Sequence, residues 1–276
     1  MAQLISKSSL RIIPGTFESK EEYLLYLRHV FAYEFAKENI SKNSSVLEMG
    51  CGEGYGTSLM SEHVEKITGL DVDANAVDHA QNKYGSSNCT FTLYDGRKIP
   101  FRDNTFDAVI SFQVIEHVED DANFVAEIFR ILKNNGIFIV TTPNRTLRLK
   151  PGQKPWNKFH LREYSPDQFE MLLKNKFEGA TVWGIRGNDE VQRVESDRVA
   201  KSLKIASFDP LNLRRLVPGS LKQFFGKVLG KLKKMDHGAA GNADFAEKYS
   251  LNDYFVIKTD VSNSLDLLSI LKKLPE

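Results

Sequence analysis

Cysteine is scarce in this chain: among 276 residues there are only Cys51 and Cys89. Two thiols cannot build the disulfide framework of a small secreted domain, so both are expected free, in a reducing compartment. No apolar stretch approaches the roughly 20 residues that a membrane-spanning helix requires. The opening residues, MAQLISKSSLRIIPG, lack the apolar core and cleavage site of a secretory leader. These absences lead to the expectation of a cytoplasmic protein. Charge of one sign is also missing: 37 Lys and Arg oppose 36 Asp and Glu, leaving +1, which disfavours a globally basic nucleic-acid binder. What remains is 41% hydrophobic and 26% charged residues, the balance of a soluble globular protein. The length allows one large domain or two small ones, and there is no internal repeat or low-complexity tract.

Hydrophobic periodicity alternates between strand and helix. Residues 20–40 place Tyr23, Leu24, Leu27, Val30, Phe31 and Phe35 near a helical repeat, which predicts an amphipathic helix in an N-terminal segment over 1–44. Strands follow at 46–48, 66–71, 90–93, 106–111 and 137–142, with helices between them that include 74–84 and 120–132. The strand at 137–142 is β-branched and apolar, as a buried parallel strand should be. Strands separated by helices of this length imply right-handed crossovers and a doubly wound parallel sheet. A helix at 166–174, a sixth strand at 180–186 and a seventh at 254–258 extend the pattern, with a C-terminal helix closing 253–276. The intervening 187–252 reads as a helical insertion and substrate cap, set into a core that begins at 45 and runs to 186.

The first strand runs into Gly50-Cys51-Gly52-Glu53-Gly54-Tyr55-Gly56 and a helix. Glycines there let backbone amides approach a ligand, and the helix N-terminus favours negative charge. The dinucleotide fingerprint G-x-G-x-x-G/A fails in both registers, because Tyr55 or Thr57 occupies its last position. No Lys-Ser/Thr pair is present to make a P-loop. Asp71 ends the second strand about 20 residues later, where a carboxylate can accept from ribose hydroxyls, whereas Asp73 reads as the cap of the next helix. Asp95-Gly96 follows the third strand. It could accept from an adenine amino group or be a plain turn.

Taken together, VLEMGCGEGYGT at 46–57, GLDVD at 69–73, YDGRKIPFRDNTFDAVISFQVIEHV at 94–118 and GIFIVTTPN at 136–144 resemble the class I S-adenosylmethionine-dependent methyltransferases. HLREYSPDQFEMLLKNKF at 160–177 resembles a block that follows the fifth strand in bacterial members. The resemblance implies a Rossmann-like seven-stranded α/β sheet in the order 3-2-1-4-5-7-6, with strand seven antiparallel. It implies S-adenosylmethionine as cofactor and S-adenosylhomocysteine as product. Glu48 and the Gly50 and Gly52 backbone would flank the methionine part, with Cys51 beside them. Asp71 and Val72 would meet the ribose, Asp95 and Gly96 the adenine, and Phe112 and Gln113 the cofactor edge.

An amine or hydroxyl acceptor must lose a proton as it is methylated, which calls for a nearby base. His117, just past the fourth strand, and His160, past the fifth with Arg162 and Tyr164 beside it, are the candidates; either could instead only brace the adjoining loop or helix. Some members of the family bind a divalent cation through Glu-x-x-Glu-His in this region. Here Gln113 replaces the first carboxylate, and although Glu116, His117 and His160 could complete a site, no metal is assigned.

Residues 211–235 contain Arg214, Arg215, Lys222, Lys227, Lys231, Lys233 and Lys234 and no acidic residue. Leu221, Phe224, Phe225, Val228, Leu229 and Leu232 follow helical spacing. Such a stretch suits either peripheral contact with the inner membrane face or a lid over the acceptor pocket; nucleic acid is disfavoured for want of an aromatic-basic pattern. The expectation is a methyltransferase acting at oxygen on a small-molecule or lipid-linked acceptor. A non-catalytic cofactor-binding protein and a metal-assisted quinone-type O-methyltransferase stand as alternatives.

Overall fold

The computed structural model describes residue 17, residues 19–207 and residues 242–275. The basic stretch 211–235 therefore lies outside the described residues. The first helix, α1 (Lys20–Asn39), starts where the Ser19 side chain accepts from the Glu22 N–H, satisfying one of the amides that a helix start leaves free. Its buried residues are Leu24, Leu27, Arg28, Ala32, Tyr33 and Ala36. The inward face is thus partly charged, and the amphipathic stripe expected through Val30, Phe31 and Phe35 is only half-buried.

Five parallel strands follow: β1 (Ser45–Met49), β2 (Lys66–Asp71), β3 (Cys89–Leu93), β4 (Phe106–Phe112) and β5 (Leu132–Pro143). Between them run α2 (Tyr55–Ser61), α3 (Ala74–Tyr84) and α4 (Asp121–Ile131). Asp73 does cap α3, accepting from the Asn75 N–H. Beyond β5 come α5 (Arg145–Arg148), α6 (Pro166–Lys174), β6 (Trp183–Gly187), α7 (Asp189–Ser207), α8 (Asn242–Lys248), β7 (Tyr254–Ile257) and β8 (Asp266–Lys272). Ser165 and Gln168 form a reciprocal capping box on α6, with Pro166 in its first turn.

The sheet has eight strands in the order β3-β2-β1-β4-β5-β8-β6-β7. The doubly wound class stands as expected, but seven strands was one too few. The antiparallel strand beside β5 is β8, where a C-terminal helix was expected, and the segment expected to fill that position, β7, pairs with β6 at the edge. The cause is burial on both faces: Asp266, Leu267, Leu268, Ser269 and Leu271 are all buried. A strand between two others shows no alternation that would distinguish LDLLSIL from a helix.

Apolar packing covers both faces of the sheet. One layer joins α1, α2, α3 and α7 to residues such as Val46, Ile110 and Ile139; the other joins α4 and α6 to Leu47, Val109 and Phe138. At the carboxyl end of β5, Asn144 is fully buried. Its amide nitrogen donates to the carbonyls of Val261, Ser262 and Ser264, at 3.0, 3.1 and 3.0 Å, and its oxygen accepts from the Thr146 N–H at 3.0 Å. One side chain thereby fixes both the approach to β8 and the turn into α5.

Replacing Asn144 by Ala should strand these buried groups and lower the unfolding free energy by about 2–3 kcal/mol. Urea unfolding measures it; a loss under about 1 kcal/mol would show that the clamp is dispensable.

Candidate active site

The loop after β1 bends back over β2. Gly50 and Cys51 N–H both donate to the Leu70 carbonyl, at 2.7 and 2.9 Å, and Gly52 N–H donates to Asp71 Oδ2 at 2.8 Å. Gly50 has φ +73°, and a Cβ there would lie 2.4 Å from Val114 Cγ2. Gly52 has φ +52°, but a Cβ there would meet nothing within 4 Å. The first glycine allows close packing on the chain that leaves β4. The second faces open space, as a ligand cradle requires.

Asp71 Oδ1 accepts from the Asp73 N–H at 2.9 Å. Each carboxylate oxygen holds one backbone amide and keeps a further acceptor position, which suits a ribose diol. Beside it, Val72 is the nearest neighbour of a Cβ built on Gly96, at 3.3 Å. The structure thus brings Val72 and Gly96 together at the ends of β2 and β3. Asp95 is exposed, and its carboxyl is held below the ordinary value by the N–H groups of Arg97 and Lys98. These residues fit S-adenosylmethionine: open backbone at Gly52, a carboxylate at Asp71 and a small-residue turn at Gly96.

Glu48 is engaged differently. It is buried, and its two oxygens accept from Tyr33 Oη and Thr57 Oγ1, both at 2.5 Å. Burial pushes its carboxyl up to about 7 against the opposing pull of these two hydroxyls. Glu48 therefore knits α1, β1 and α2 beneath the glycine loop. Phe112 packs against the same tyrosine, edge to face at 4.9 Å. Gln113 adopts φ +59°, a left-handed conformation that is uncommon outside glycine. Its N–H donates to the Thr141 carbonyl at 3.0 Å and its side-chain amide to Thr141 Oγ1 at 3.3 Å.

A short 3-10 turn, Ile115–His117, follows. His117 Nδ1 lies 2.9 Å from the Phe159 carbonyl and His160 Nδ1 lies 2.7 Å from Glu163 Oε1. Carbonyl and carboxylate oxygens only accept, so each Nδ1 carries a proton, and a ring in its neutral form keeps its lone pair at Nε2. The two rings meet edge to face at 4.8 Å. Burial holds His117 below the ordinary histidine value despite the bond from its ring to Phe159. Glu116 is fully buried. Its Oε2 accepts from Thr142 Oγ1 at 3.0 Å, whereas Oε1 has no partner among the described residues. Burial lifts this carboxyl also to about 7. Ligand-capable atoms of Glu116, His117 and His160 all lie within 4.8 Å of one another.

The structure therefore groups the sequence candidates in two sets, one along the glycine loop and one around Glu116. Tyr33, Thr57, Arg148 and Glu163 are additions. No periodic signal marks Tyr33, but a hydroxyl on the buried face of α1 and an acid three residues after His160 were both visible.

Gly52→Ala should weaken S-adenosylhomocysteine binding at least tenfold by titration calorimetry, while Gly179→Ala, also left-handed with open surroundings, leaves it unchanged. Equal loss in both would trace the effect to backbone strain. The raised Glu48 carboxyl stabilises the fold below its ordinary value of 4.5, and this contribution is lost as pH rises through about 7. Glu48→Gln should therefore gain on the parent by about 3 kcal/mol between pH 4.5 and 8.5. Urea unfolding at both pH values decides it, and an unchanged difference would refute the assignment.

Comparison with known proteins finds similar sequences and similar folds. Residues 47–140 match the methyltransferase domain family. A Mycolicibacterium smegmatis protein named as a probable S-adenosylmethionine-dependent methyltransferase is 38% identical over 167 residues, covering 59% of this chain and 62% of that protein. One of the same description from Mycobacterium tuberculosis is 36% identical over 149 residues, covering 54% and 53%. The chain thus matches between half and two thirds of these relatives' length. Among solved structures, the [4+2]-cyclase SpnF superposes with a TM-score of 0.55 at 20% identity, covering 91% of this chain and 82% of that one. The YcgJ protein of Bacillus subtilis gives 0.51 at 16%, covering 90% and 100%. Those two likenesses show the fold alone; the match over residues 47–140 and the mycobacterial relatives show a methyltransferase domain similar to those of S-adenosylmethionine-dependent methyltransferases.

Proposed function

We propose that the chain methylates an oxygen nucleophile on a small-molecule or lipid-linked acceptor, with His117 and His160 on the acceptor side. The observation that carries this reading is the edge-to-face pair of imidazoles, each fixed through Nδ1 and each, when neutral, left with a lone pair at Nε2. When bound, S-adenosylmethionine supplies a methyl carbon on a sulfonium sulfur, whose displacement by oxygen leaves the carbon–sulfur electron pair on sulfur. The open backbone at Gly52 and the Asp71 carboxylate hold the cofactor. An Nε2 lone pair takes the proton that the acceptor hydroxyl gives up. Because burial lowers His117, that ring is already deprotonated at neutral pH.

A second reading rests on Glu116 Oε1, a buried oxygen that has no partner among the described residues and lies beside those two rings. Two imidazoles and one carboxylate suit a cation that takes nitrogen ligands readily, such as zinc, better than calcium. Such a cation would lower the acceptor hydroxyl's affinity for its proton.

His117→Ala and His160→Ala are each expected to cut turnover by about 10²–10⁴-fold while S-adenosylhomocysteine affinity stays constant. The assay is S-adenosylhomocysteine release against phenolic, glycosidic and lipid-linked hydroxyls. Turnover that survives EDTA favours the proton reading, and loss restored by added zinc or manganese favours the cation. Full turnover in both variants would end the acceptor-side assignment; tight cofactor binding without turnover by the parent would favour a non-catalytic role.

A further inference from the structure

We infer that Glu163 is the positioning residue of His160, fixing which ring nitrogen faces the acceptor. The inference rests on the acceptor-side reading of His160 given above. The Glu163 side chain is fully buried between two partners. Arg148 reaches it with both prongs, Nε to Oε2 at 3.1 Å and Nη2 to Oε1 at 3.2 Å. That fork gives each carboxylate oxygen one charged donor. The bond from His160 Nδ1 to Oε1 is the shortest of the three, at 2.7 Å.

Its consequence is directional. A carboxylate cannot donate, so the Nδ1–H form is the one that this contact selects, and Nε2 is left as the acceptor. An imidazole free in water favours the opposite tautomer, with the proton on Nε2 and no lone pair there. The carboxylate therefore reverses the ring's own preference. An acidic partner behind an imidazole serves in this way both for general bases and for histidines that ligate metals.

The orienting group is itself held. The Arg148 guanidinium lies over the Trp156 ring at 4.4 Å, and Arg198 of α7 approaches the same ring at 5.2 Å. The loop between them binds both histidines: Phe159 accepts from His117, and His160 N–H donates to the Asn157 carbonyl at 3.2 Å. The His117 imidazole cannot turn without breaking its bond to this loop.

The test is nitrogen NMR of full-length protein labelled at histidine, with S-adenosylhomocysteine present and His160 assigned by loss of its signals in His160→Ala. The parent should show His160 with its proton on Nδ1. Glu163→Gln should raise the Nε2–H form to half or more, lowering turnover at least tenfold through kcat with S-adenosylhomocysteine affinity within twofold. Because Glu163→Gln removes the ion-pair partner of buried Arg148, Arg148→Met/Glu163→Leu is measured beside it, removing both charges at once. The same tautomer shift in that folded double variant supports the inference. A parent already in the Nε2–H form, or a double variant that retains Nδ1–H, overturns it. Should the tautomer shift while His160→Ala retains full turnover, the positioning stands and the acceptor-side reading fails.

Discussion

A carboxylate at the end of a central parallel strand has no water to solvate it and must find its donors inside the protein. Glu48 occupies that position. Its neighbours on the sheet are β2 and β4, so donors can come only from helices packed above, and Tyr33 and Thr57 supply them. The arrangement has a geometric consequence. Tyr33 belongs to α1 and Thr57 to α2, so satisfying one buried acid fixes both helices against the glycine loop. Tyr33 also packs edge-on against Phe112 at the end of β4. The glycine loop and the end of β4 are thereby referred to a single buried group.

The two halves of the crevice are held by different means. Around the glycine loop, backbone amides donate to Leu70 and Asp71. Around the histidine pair, buried ion pairs between side chains join the main-chain and neutral bonds already described. Arg28 of α1 meets Asp266 at 3.0 Å and Glu195 of α7 at 3.8 Å, and Arg148 meets Glu163. Buried ion pairs add little net stability relative to apolar packing, so their value here is geometric. They join α1, α7 and the start of β8 around the loop that carries His160.

What could be read from the sequence was what is local. The glycine loop between β1 and α2, Asp71 at the end of β2, the Asp73 cap and the Pro166 start of α6 each depend on residues within a few positions, and each lies at the expected end of its strand or helix. The partnership of Tyr33 with Glu48 spans 15 positions and crosses from helix to strand, so no periodic pattern encodes it. The strand β8 was hidden for another reason: burial on both faces removes the alternation that distinguishes strand from helix. Glu163 was passed over because Arg162 and Tyr164, its neighbours, are the more conspicuous side chains. In the fold they turn to Asp121 instead.

Gln113 shows how a single residue converts the common sheet into a particular site. A left-handed backbone at a non-glycine residue costs about 1 kcal/mol or more, yet it persists here because main chain and side chain both bond to Thr141 of the neighbouring strand. Without the bend, β4 would continue straight past β5 and Glu116 would have no reason to lie beside Thr142. With it, the chain enters the 3-10 turn at once, Glu116 folds inward to Thr142, and His117 reaches the loop after β5. The Leu161 N–H then closes on the Glu116 carbonyl at 2.9 Å, so the two histidine-bearing segments are tied by main chain as well as by side chain. Strain at one residue, met by its neighbour across the sheet, is what brings the His117 and His160 rings into edge-to-face contact.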